Sequence, residues 1–461
     1  MKSLLVLVCG VIVCVRSCYW NAECRFLLHS TKTPYDTVRG DIRDYDTPQS
    51  CEAVSIWTLN RHGNRNPGNS VTESVKHIAS LQEEIIASYD AGVSHLCAQD
   101  IDLFRKWTWN STLEESQSFL TGTGYEELYD IGARIRQKYP NLLQGEVSDY
   151  YFRPTNEQRT ITSAMAFVHG LTDGTGRDLP VDSLRERDDV IRPYENCDRY
   201  QQEVKSSPSV DEQLEAYYAS PEFIAVQNAV QERLYISTRL SPDDIYSFYE
   251  LCRFDRSWNY RHQSPWCSVF TNEDLVVLEY RDDVRHYWRN GYGSWVNVNL
   301  GGPPLKDLYE TLEGAINGTS RKITSYFTHD TMLEMVYCAM GAFKDDNQLQ
   351  GSYRDPNRKW RTSSIGAFSV NLIAVLNSCT TDTGDQEYRV QLFINEKETE
   401  ICPLEGCTWT QFQEKFQKFT AADLEFCSMD YRIEPADDGS STIAGVFWIV
   451  LSLVAFLRVC S

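Results

Sequence analysis

Two short segments of the sequence carry side chains suited to phosphoryl transfer. Residues 61–67 read Arg-His-Gly-Asn-Arg-Asn-Pro, so that two guanidinium groups flank one imidazole. Guanidinium groups bind phosphate oxygens through paired hydrogen bonds. An imidazole held between them would face a phosphorus atom and could attack it, forming a phosphohistidine. We therefore interpret Arg61 and Arg65 as phosphate ligands and His62 as a candidate nucleophile.

The second segment reads Thr-His-Asp-Thr at residues 328–331. Asp330 could donate a proton to the departing oxygen as a general acid, while His329 adds a hydrogen bond to the transferring group. The simpler interpretation is that Asp330 caps the helix that follows it. A carboxyl group among cations has a lowered pKa, so the acid role requires an acidic working pH or help from a bound phosphate.

Arg159 supplies a third guanidinium group. It stands just before a stretch, Ile161 to Phe167, whose apolar residues recur at helical spacing. A cation near this helix start would complete an anion-binding cage with the two arginines of the first motif. Taken alone, an arginine in this position would be interpreted as a solvated side chain.

Both motifs follow predicted strands. Residues 53–59 and 323–327 are short apolar runs typical of buried strands. Apolar spacing predicts a helix after each strand, the first opened by a capping box of Ser70 and Glu73 and the second over residues 331–340. In open α/β sheets, ligands bind at the carboxyl ends of strands. The two motifs are therefore expected to meet at one edge of the sheet.

These elements predict an α/β fold with a core sheet covered by helices on both faces and an inserted, mostly α-helical subdomain. The insertion is placed where the sequence turns helical and rich in Gln, Glu and Tyr. The predicted boundaries are a signal peptide at 1–17, the first part of the core at 18–181, the helical subdomain at 182–289, the second part of the core at 290–436, and a membrane-anchor signal at 437–461.

Composition and charge limit the kinds of molecule that this protein is expected to bind. Hydrophobic residues make up 42% and charged residues 24% of the 461 residues, as in folded globular proteins. The 44 basic and 65 acidic side chains give a net charge of −21, which repels phosphate backbones. Nucleic acid is therefore excluded as an expected partner. A small anionic phosphomonoester could bind only at a local cluster of cations.

Both termini resemble export signals. Lys2 precedes the apolar run Leu4 to Val15, a pattern typical of a secretory signal peptide. At the other end, Ile443 to Leu457 is uncharged but shorter than the roughly 20 residues that span a bilayer. A glycosylphosphatidylinositol attachment signal is the favoured interpretation and a tilted single span the alternative. The protein is expected in the secretory pathway, at the extracellular face of the plasma membrane or secreted.

Cysteine usage agrees with export. Twelve cysteines remain when those in the two terminal signals are set aside, and an even number in an oxidising compartment predicts pairing. Cys252 with Cys267 and Cys402 with Cys407 are close enough in sequence to form local loops. No cysteine or histidine spacing indicates a metal site, and no cofactor is expected. Asn110 and Asn317 begin glycosylation sequons.

Residues 61–67 match the R-H-G-x-R-x-P signature of the histidine acid phosphatases, and His329-Asp330 matches their H-D motif. Within that family the chain most resembles the multiple inositol polyphosphate phosphatases. The resemblance implies a nucleophilic His62, a proton-donating Asp330, and phosphate binding by Arg61, Arg65, Arg159 and His329. Further similar segments are 30–35 (Ser-Thr-Lys-Thr-Pro-Tyr), 65–68, 158–164, 264–267 and 287–293.

The resemblance to this family does not determine which phosphate ester is the substrate. Vertebrate members of the inositol phosphatase branch typically carry H-A-E where this chain has His329-Asp330, the arrangement of the broader acid phosphatases. The favoured expectation is hydrolysis of inositol polyphosphates such as phytate, with Lys32 as an outer substrate contact. A broad acid phosphatase, a phosphohistidine-forming mutase and an inactive surface binding protein are the alternatives.

Overall fold

The structure is a computed structural model that describes residues 28–183, 185–259, 262–402 and 405–431. The predicted signal peptide and membrane-anchor signal lie outside these residues. Within the described ranges, every helix is too short or too polar to cross a membrane.

As far as the structure describes it, the first part of the chain, up to Asn290, contains two strands, each followed by a run of helices. They are β1 (Cys51–Arg61), α1 (Asn69–Ala79), α2 (Gln82–Asp90), α3 (Ala98–Lys106), α4 (Thr112–Glu115), α5 (Gly122–Lys138), β2 (Tyr150–Pro154), α6 (Gln158–Thr172), α7 (Ser209–Tyr218), α8 (Pro221–Leu234), α9 (Pro242–Trp258) and α10 (Asn272–Asn290).

The remaining elements complete the sheet and one of its faces. They are α11 (Trp295–Leu300), α12 (Gly302–Ile316), β3 (Ile323–Thr328), α13 (Asp330–Met340), α14 (Thr362–Ile365), β4 (Asn371–Thr380), β5 (Gln386–Ile394), β6 (Lys397–Glu398), β7 (Cys407–Thr408) and α15 (Trp409–Phe416).

The strands form one mixed sheet in the order β2-β3-β1-β4-β5-β6, with β7 beside β5. β1 and β2 both run parallel to β3, whereas β4 is antiparallel to β1. Every residue of β3 is buried, as expected of a central parallel strand. The strands predicted at 53–59 and 323–327 are confirmed, and each extends slightly beyond the predicted range.

Helices cover both faces of this sheet. Asp307 of α12 accepts hydrogen bonds from Trp57 Nε1 at 2.7 Å and from the Tyr326 hydroxyl at 2.8 Å. Phe327, the next residue of β3, instead packs against Phe167 of α6, with ring centroids 5.3 Å apart. Because successive residues of a strand point to opposite faces, α12 and α6 lie on opposite sides. The predicted α/β fold class is confirmed.

The capping box predicted at Ser70 and Glu73 is wrong. α1 begins at Asn69, two residues before the start that a Ser70 cap predicts, and no side chain caps it. The Gly68 carbonyl instead accepts both the backbone N–H and the hydroxyl of Thr72. The apolar spacing also continues across a break, since α1 ends at Ala79 and α2 begins at Gln82.

The segment predicted as a helical subdomain contains α7, α8, α9 and nearly all of α10, with no strand among its described residues. Buried ion pairs join it to the rest of the molecule. Arg358 lies 2.9 Å from Glu279 and 2.5 Å from Asp283, both on α10. The division of the chain into separate domains stays a prediction.

Disulfides link distant parts of the described chain. Cys51–Cys379 joins paired strands β1 and β4, and Cys197–Cys427 closes a long loop. The two local pairs predicted from spacing, Cys252–Cys267 and Cys402–Cys407, are confirmed. The expectation that all twelve cysteines pair is wrong, because Cys338 is a free thiol buried within α13.

Candidate active site

The two sequence motifs meet at the carboxyl ends of β1 and β3. Arg61 and Thr328 are the last paired residues of these parallel strands, so the residues that follow them are neighbours. The His62 N–H donates to the Thr328 carbonyl at 3.0 Å. The rings of His62 and His329 approach edge to face, with centroids 5.6 Å apart. The expected juxtaposition of the two motifs is therefore present.

One hydrogen bond sets the tautomer of His62. Its Nδ1 lies 2.8 Å from the Gly63 carbonyl oxygen, which can only accept, so Nδ1 carries the hydrogen. The lone pair is then on Nε2. Burial, reinforced by Arg61 and Arg159, holds the pKa of His62 well below its ordinary value. The ring is therefore neutral, which is the state that a nucleophile requires.

Gly63 allows the loop after β1 to pack directly on α5. A Cβ at Gly63 would lie 2.2 Å from the Gly124 carbonyl oxygen, and a Cβ at Gly124 would lie 2.1 Å from that of Asn64. The Gly63 N–H also donates to the Ser163 hydroxyl of α6 at 3.1 Å. Only glycine fits this close approach, which fixes the backbone next to His62.

Arg61 is fixed on several sides. It is 1% exposed, and its Nη1 donates to the carbonyls of Thr31 at 2.7 Å and Gly366 at 2.6 Å. Its Nη2 lies 3.1 Å from Asp330 Oδ2, and its guanidinium plane sits 4.7 Å from the Phe368 ring centroid. These contacts orient the guanidinium group before any substrate arrives.

Arg65 and Arg159 add charge to the same cluster. Burial, with repulsion from Arg159 and Arg61, lowers the pKa of Arg65 to about 10. Burial likewise lowers the pKa of Arg159, whose Nη2 lies 3.5 Å from His329 Nδ1. Three desolvated cations within mutual influence favour a bound anion. Within the described part of the chain, the buried Nε atoms of all three arginines have no hydrogen-bond partner.

His329 stands between this cluster and the sheet. Its Nε2 lies 3.2 Å from the Thr155 hydroxyl, which in turn bonds to Thr160 at the start of α6. Burial and the nearby Arg159 hold the pKa of His329 well below its ordinary value, so the ring is neutral. The Thr155 hydroxyl gives its hydrogen to Thr160, so His329 Nε2 carries the ring hydrogen and donates it to Thr155. A hydrogen bond from His329 to a phosphoryl group stays a prediction.

Asp330 is the first residue of α13. Its Oδ1 accepts from the Thr331 N–H at 2.9 Å, while His329 occupies the N-cap position without a side-chain bond. The Asp330 side chain thus satisfies one backbone N–H at the start of α13, as the capping interpretation predicts. The same carboxyl group also faces the arginines. Burial opposes its ionisation, but Arg61 outweighs burial and holds the pKa of Asp330 below its ordinary value. Without substrate the carboxyl group is ionised.

Lys32 is buried close to this cluster. Its Nζ donates to the Thr31 hydroxyl at 2.9 Å and lies 5.3 Å from the Phe254 ring centroid. Burial lowers the pKa of Lys32 to about 7, although Glu250 opposes the shift. Lys32 also contributes to the lowered pKa of Asp330. Its role as an outer substrate contact stays a prediction.

Sequence reasoning missed two residues beside Arg159. Glu157 bonds Arg159 Nη1 through one carboxylate oxygen and Arg192 Nη2 through the other, both at 3.3 Å. Arg192 is therefore a fourth guanidinium group at the rim of the cluster. Nothing in its neighbourhood in the sequence marks it, since it lies in an irregular stretch far from the motifs.

The two predicted glycosylation sites lie at the surface. Asn110 and Asn317 are both exposed. The Thr112 hydroxyl donates to the Asn110 side-chain oxygen at 2.8 Å, and the Thr112 N–H donates to it at 3.1 Å. Both positions remain predicted attachment sites.

The fold and this arrangement of side chains define the class of histidine phosphatases. Residues 55–395 match the model of the histidine phosphatase superfamily (branch 2), and the chain belongs to that family. The family predicted from the two motifs is thereby confirmed.

Relatives of known sequence carry more specific names. The chain is 31% identical over 409 residues to multiple inositol polyphosphate phosphatase 1 of Drosophila melanogaster, covering 86% of this chain and 85% of the relative. It is 26% identical over 448 residues to the Homo sapiens protein of the same name, covering 89% and 90%. An acid phosphatase of Schizosaccharomyces pombe is 26% identical over 380 residues, covering 78% of each.

Solved structures share the fold. The phytase from D. castellii superposes with a TM-score of 0.69 at 20% identity, covering 86% of this chain and 85% of that one. A Bifidobacterium longum multiple inositol polyphosphate phosphatase in complex with inositol hexasulfate gives a TM-score of 0.62 at 15% identity, covering 82% and 94%.

Proposed function

We propose that this protein hydrolyses phosphate monoesters of inositol polyphosphates through a phosphohistidine intermediate. The observation that carries the proposal is the neutral His62, whose free Nε2 lies among the guanidinium groups of Arg61, Arg65 and Arg159. Such a cage binds the phosphoryl oxygens and stabilises the negative charge of the transition state.

In the first step His62 Nε2 attacks phosphorus, and the bond from phosphorus to the ester oxygen breaks. Asp330 gives the departing oxygen a proton. In the free protein Arg61 keeps this carboxyl group ionised. A bound phosphoryl group neutralises part of that cationic field, which raises the pKa of Asp330 and lets it bind the proton.

In the second step water attacks the phosphohistidine, and the phosphorus–nitrogen bond breaks. The Asp330 carboxylate left by the first step accepts the proton of the attacking water. Inorganic phosphate then leaves, and His62 returns with its Nδ1 hydrogen still bonded to the Gly63 carbonyl. The same carboxyl group thus acts first as an acid and then as a base.

Two cations outside the central cage support a substrate with several phosphates. Lys32 lies close enough to lower the pKa of Asp330, and Arg192 shares the Glu157 carboxylate with Arg159. A monophosphate occupies only the central cage. The names of the sequence relatives agree with an inositol polyphosphate as the natural substrate.

Kinetic constants for phytate and for an aryl phosphate test this assignment. Arg192→Gln should lower kcat/KM for phytate about tenfold, the effect of losing one exposed charge-assisted contact, and leave the aryl phosphate unchanged. Arg187→Gln is the matched control, because Arg187 is an exposed arginine of the same segment that bonds Asp189. Equal effects on both substrates would contradict the role of Arg192.

A broad acid phosphatase is the second candidate. The His329-Asp330 pair and the similarity to the Schizosaccharomyces pombe acid phosphatase favour it. Weak phytate turnover, no better than that of simple esters, would establish this alternative. A wild-type protein that releases no phosphate between pH 3 and 8 would instead support a surface binding protein, and transfer without net phosphate release would support a mutase.

We also propose that the protein is exported and anchored by lipid at its C-terminus. The disulfides support export, since such bonds persist in oxidising compartments. A phospholipase specific for phosphatidylinositol should release the protein from cell surfaces, and a glycosidase that removes N-linked sugars should lower its apparent mass. Retention after the lipase would favour a single membrane span.

A further inference from the structure

Glu127 of α5 is a buried carboxyl group directly behind the candidate active site. It is 9% exposed. Its Oε2 accepts hydrogen bonds from the Asn64 N–H and from the Ser369 hydroxyl, each at 2.8 Å. Its Oε1 accepts a longer bond, 3.3 Å, from the Tyr35 N–H. None of the steps described above uses this side chain.

Each of the three donors belongs to a segment that builds the pocket. Asn64 is two residues after His62 in the loop following β1. The Ser369 N–H donates to the His62 carbonyl at 3.2 Å, and the preceding residue stacks on Arg61. Tyr35 follows the turn that contains Lys32. One carboxyl group therefore connects three of the backbone segments that surround the nucleophile.

We propose that Glu127 is a positioning residue, which holds His62 in line with the bound phosphoryl group through Asn64 and Ser369. The proposal rests on the phosphatase function proposed above. The Asn64 bond restrains the loop after β1, and the Ser369 bond restrains the segment that donates to the His62 carbonyl, so a shift of either segment away from Oε2 loses its bond. Misplacement of a reacting group by about 1 Å costs up to about 100-fold in rate.

The two oxygens of Glu127 have different surroundings. One oxygen can therefore position the loop while the other gains or loses the proton. Oε1 makes only the longer bond, and the Glu127 side chain lines a cavity of about 420 Å³. A proton on Oε1 therefore leaves both Oε2 bonds intact. Burial raises the pKa of Glu127 to about 7, against the hydrogen bonds that it accepts. The titratable and charged groups facing it are Tyr35, Asp36, Arg61, Glu126, Asp130 and Arg134.

The two forms of Glu127 should thus differ in substrate binding more than in turnover. Both forms hold the loop through Oε2, so kcat changes little as Glu127 ionises. The ionised form adds a negative charge behind Arg61, which weakens binding of an anionic substrate. KM should therefore rise as the pH passes through about 7.

Glu127→Ala and Glu127→Gln separate these effects, with 4-nitrophenyl phosphate as the substrate. Glu127→Ala should lower kcat at least tenfold at about pH 5. Glu127→Gln keeps an acceptor oxygen and should retain kcat within about threefold, while it weakens the rise of KM near neutral pH. Glu126→Ala and Glu126→Gln are matched controls, because Glu126 is exposed on the same helix and lines the same cavity.

A kcat for Glu127→Ala equal to that of Glu126→Ala would overturn the proposal, as would a Glu127→Gln enzyme as slow as Glu127→Ala. If Glu127→Ala fails to fold by circular dichroism, Ser369→Ala removes one of the same bonds and should lower kcat at least threefold. An unchanged kcat there would equally overturn it.

Failure of the proposed phosphatase function can be distinguished from failure of the positioning role, because the wild type itself would then be inactive. In that case the NMR signal of the His62 Nδ1 hydrogen reports the loop directly. It should broaden or shift in Glu127→Ala and stay in place in Glu127→Gln. A signal identical in both variants would contradict the positioning role.

Discussion

Arg61 Nη2 lies 3.1 Å from Asp330 Oδ2, so the residue next to the candidate nucleophile is ion-paired with the candidate general acid. The pair joins the end of β1 to the start of α13. A phosphate entering the pocket competes for the same guanidinium group. Substrate binding and protonation of Asp330 are therefore coupled through Arg61.

Replacement of His62 by Ala should abolish hydrolysis and leave the fold intact. The side chain makes one hydrogen bond, to the adjacent carbonyl, so few contacts are lost. Loss of the nucleophile should lower kcat by about 10⁴-fold or more, measured as phosphate release. Acid-quenched phosphoenzyme should be present in the wild type and absent in the variant. His77→Ala, at an exposed position of α1, should behave as the wild type.

Asp330→Asn should slow the hydrolysis of different esters to different extents, depending on the leaving group. The amide cannot protonate the departing oxygen, so kcat for alkyl phosphates should fall by about 10²–10⁴-fold. Aryl oxygens leave readily as anions, so kcat for aryl phosphates should fall less. The comparison is made between phytate and 4-nitrophenyl phosphate. Equal losses for both would argue that Asp330 only orients Arg61, and Asp90→Asn at an exposed position is the control.

Gly63→Ala should disrupt the loop that carries His62. The new methyl group would lie 2.2 Å from the Gly124 carbonyl oxygen, so the backbone of the loop or of α5 has to move. We expect a loss of about 1–3 kcal/mol of unfolding free energy and at least a tenfold loss of kcat. Urea unfolding and steady-state kinetics measure the two effects. Gly122→Ala has open space around the new methyl group and should change neither.

Lys32→Met should stabilise the protein at acidic pH and weaken phytate binding. Burial lowers the pKa of Lys32 from 10.5 to about 7. The folded chain then binds fewer protons than the unfolded chain between these values, so its unfolding free energy rises with pH across that window. Removing the ammonium group should add about 1–2 kcal/mol at about pH 6.

Urea unfolding at about pH 6 and pH 9 checks the effect of Lys32→Met. The stabilisation should shrink at the higher pH, where much of the wild-type Lys32 is already neutral. An identical difference at both values would show that packing, and not charge, is responsible. Lys106→Met, at an exposed position in the last turn of α3, is the control.

The sequence by itself determined the family and the two core strands, because short motifs and strand patterns depend on neighbours along the chain. It also predicted the central site residues. Spacing made two local disulfides possible, but the structure decided that they form. The start of α1 did not follow from the sequence, because the helix begins at Asn69 with Gly68 at its N-cap, ahead of the predicted Ser70 cap. The tertiary structure alone decided which distant groups meet the motifs. Arg192 and Glu127 reach the site only through packing of α5, α6 and the segment before α7, and no local pattern encodes such contacts.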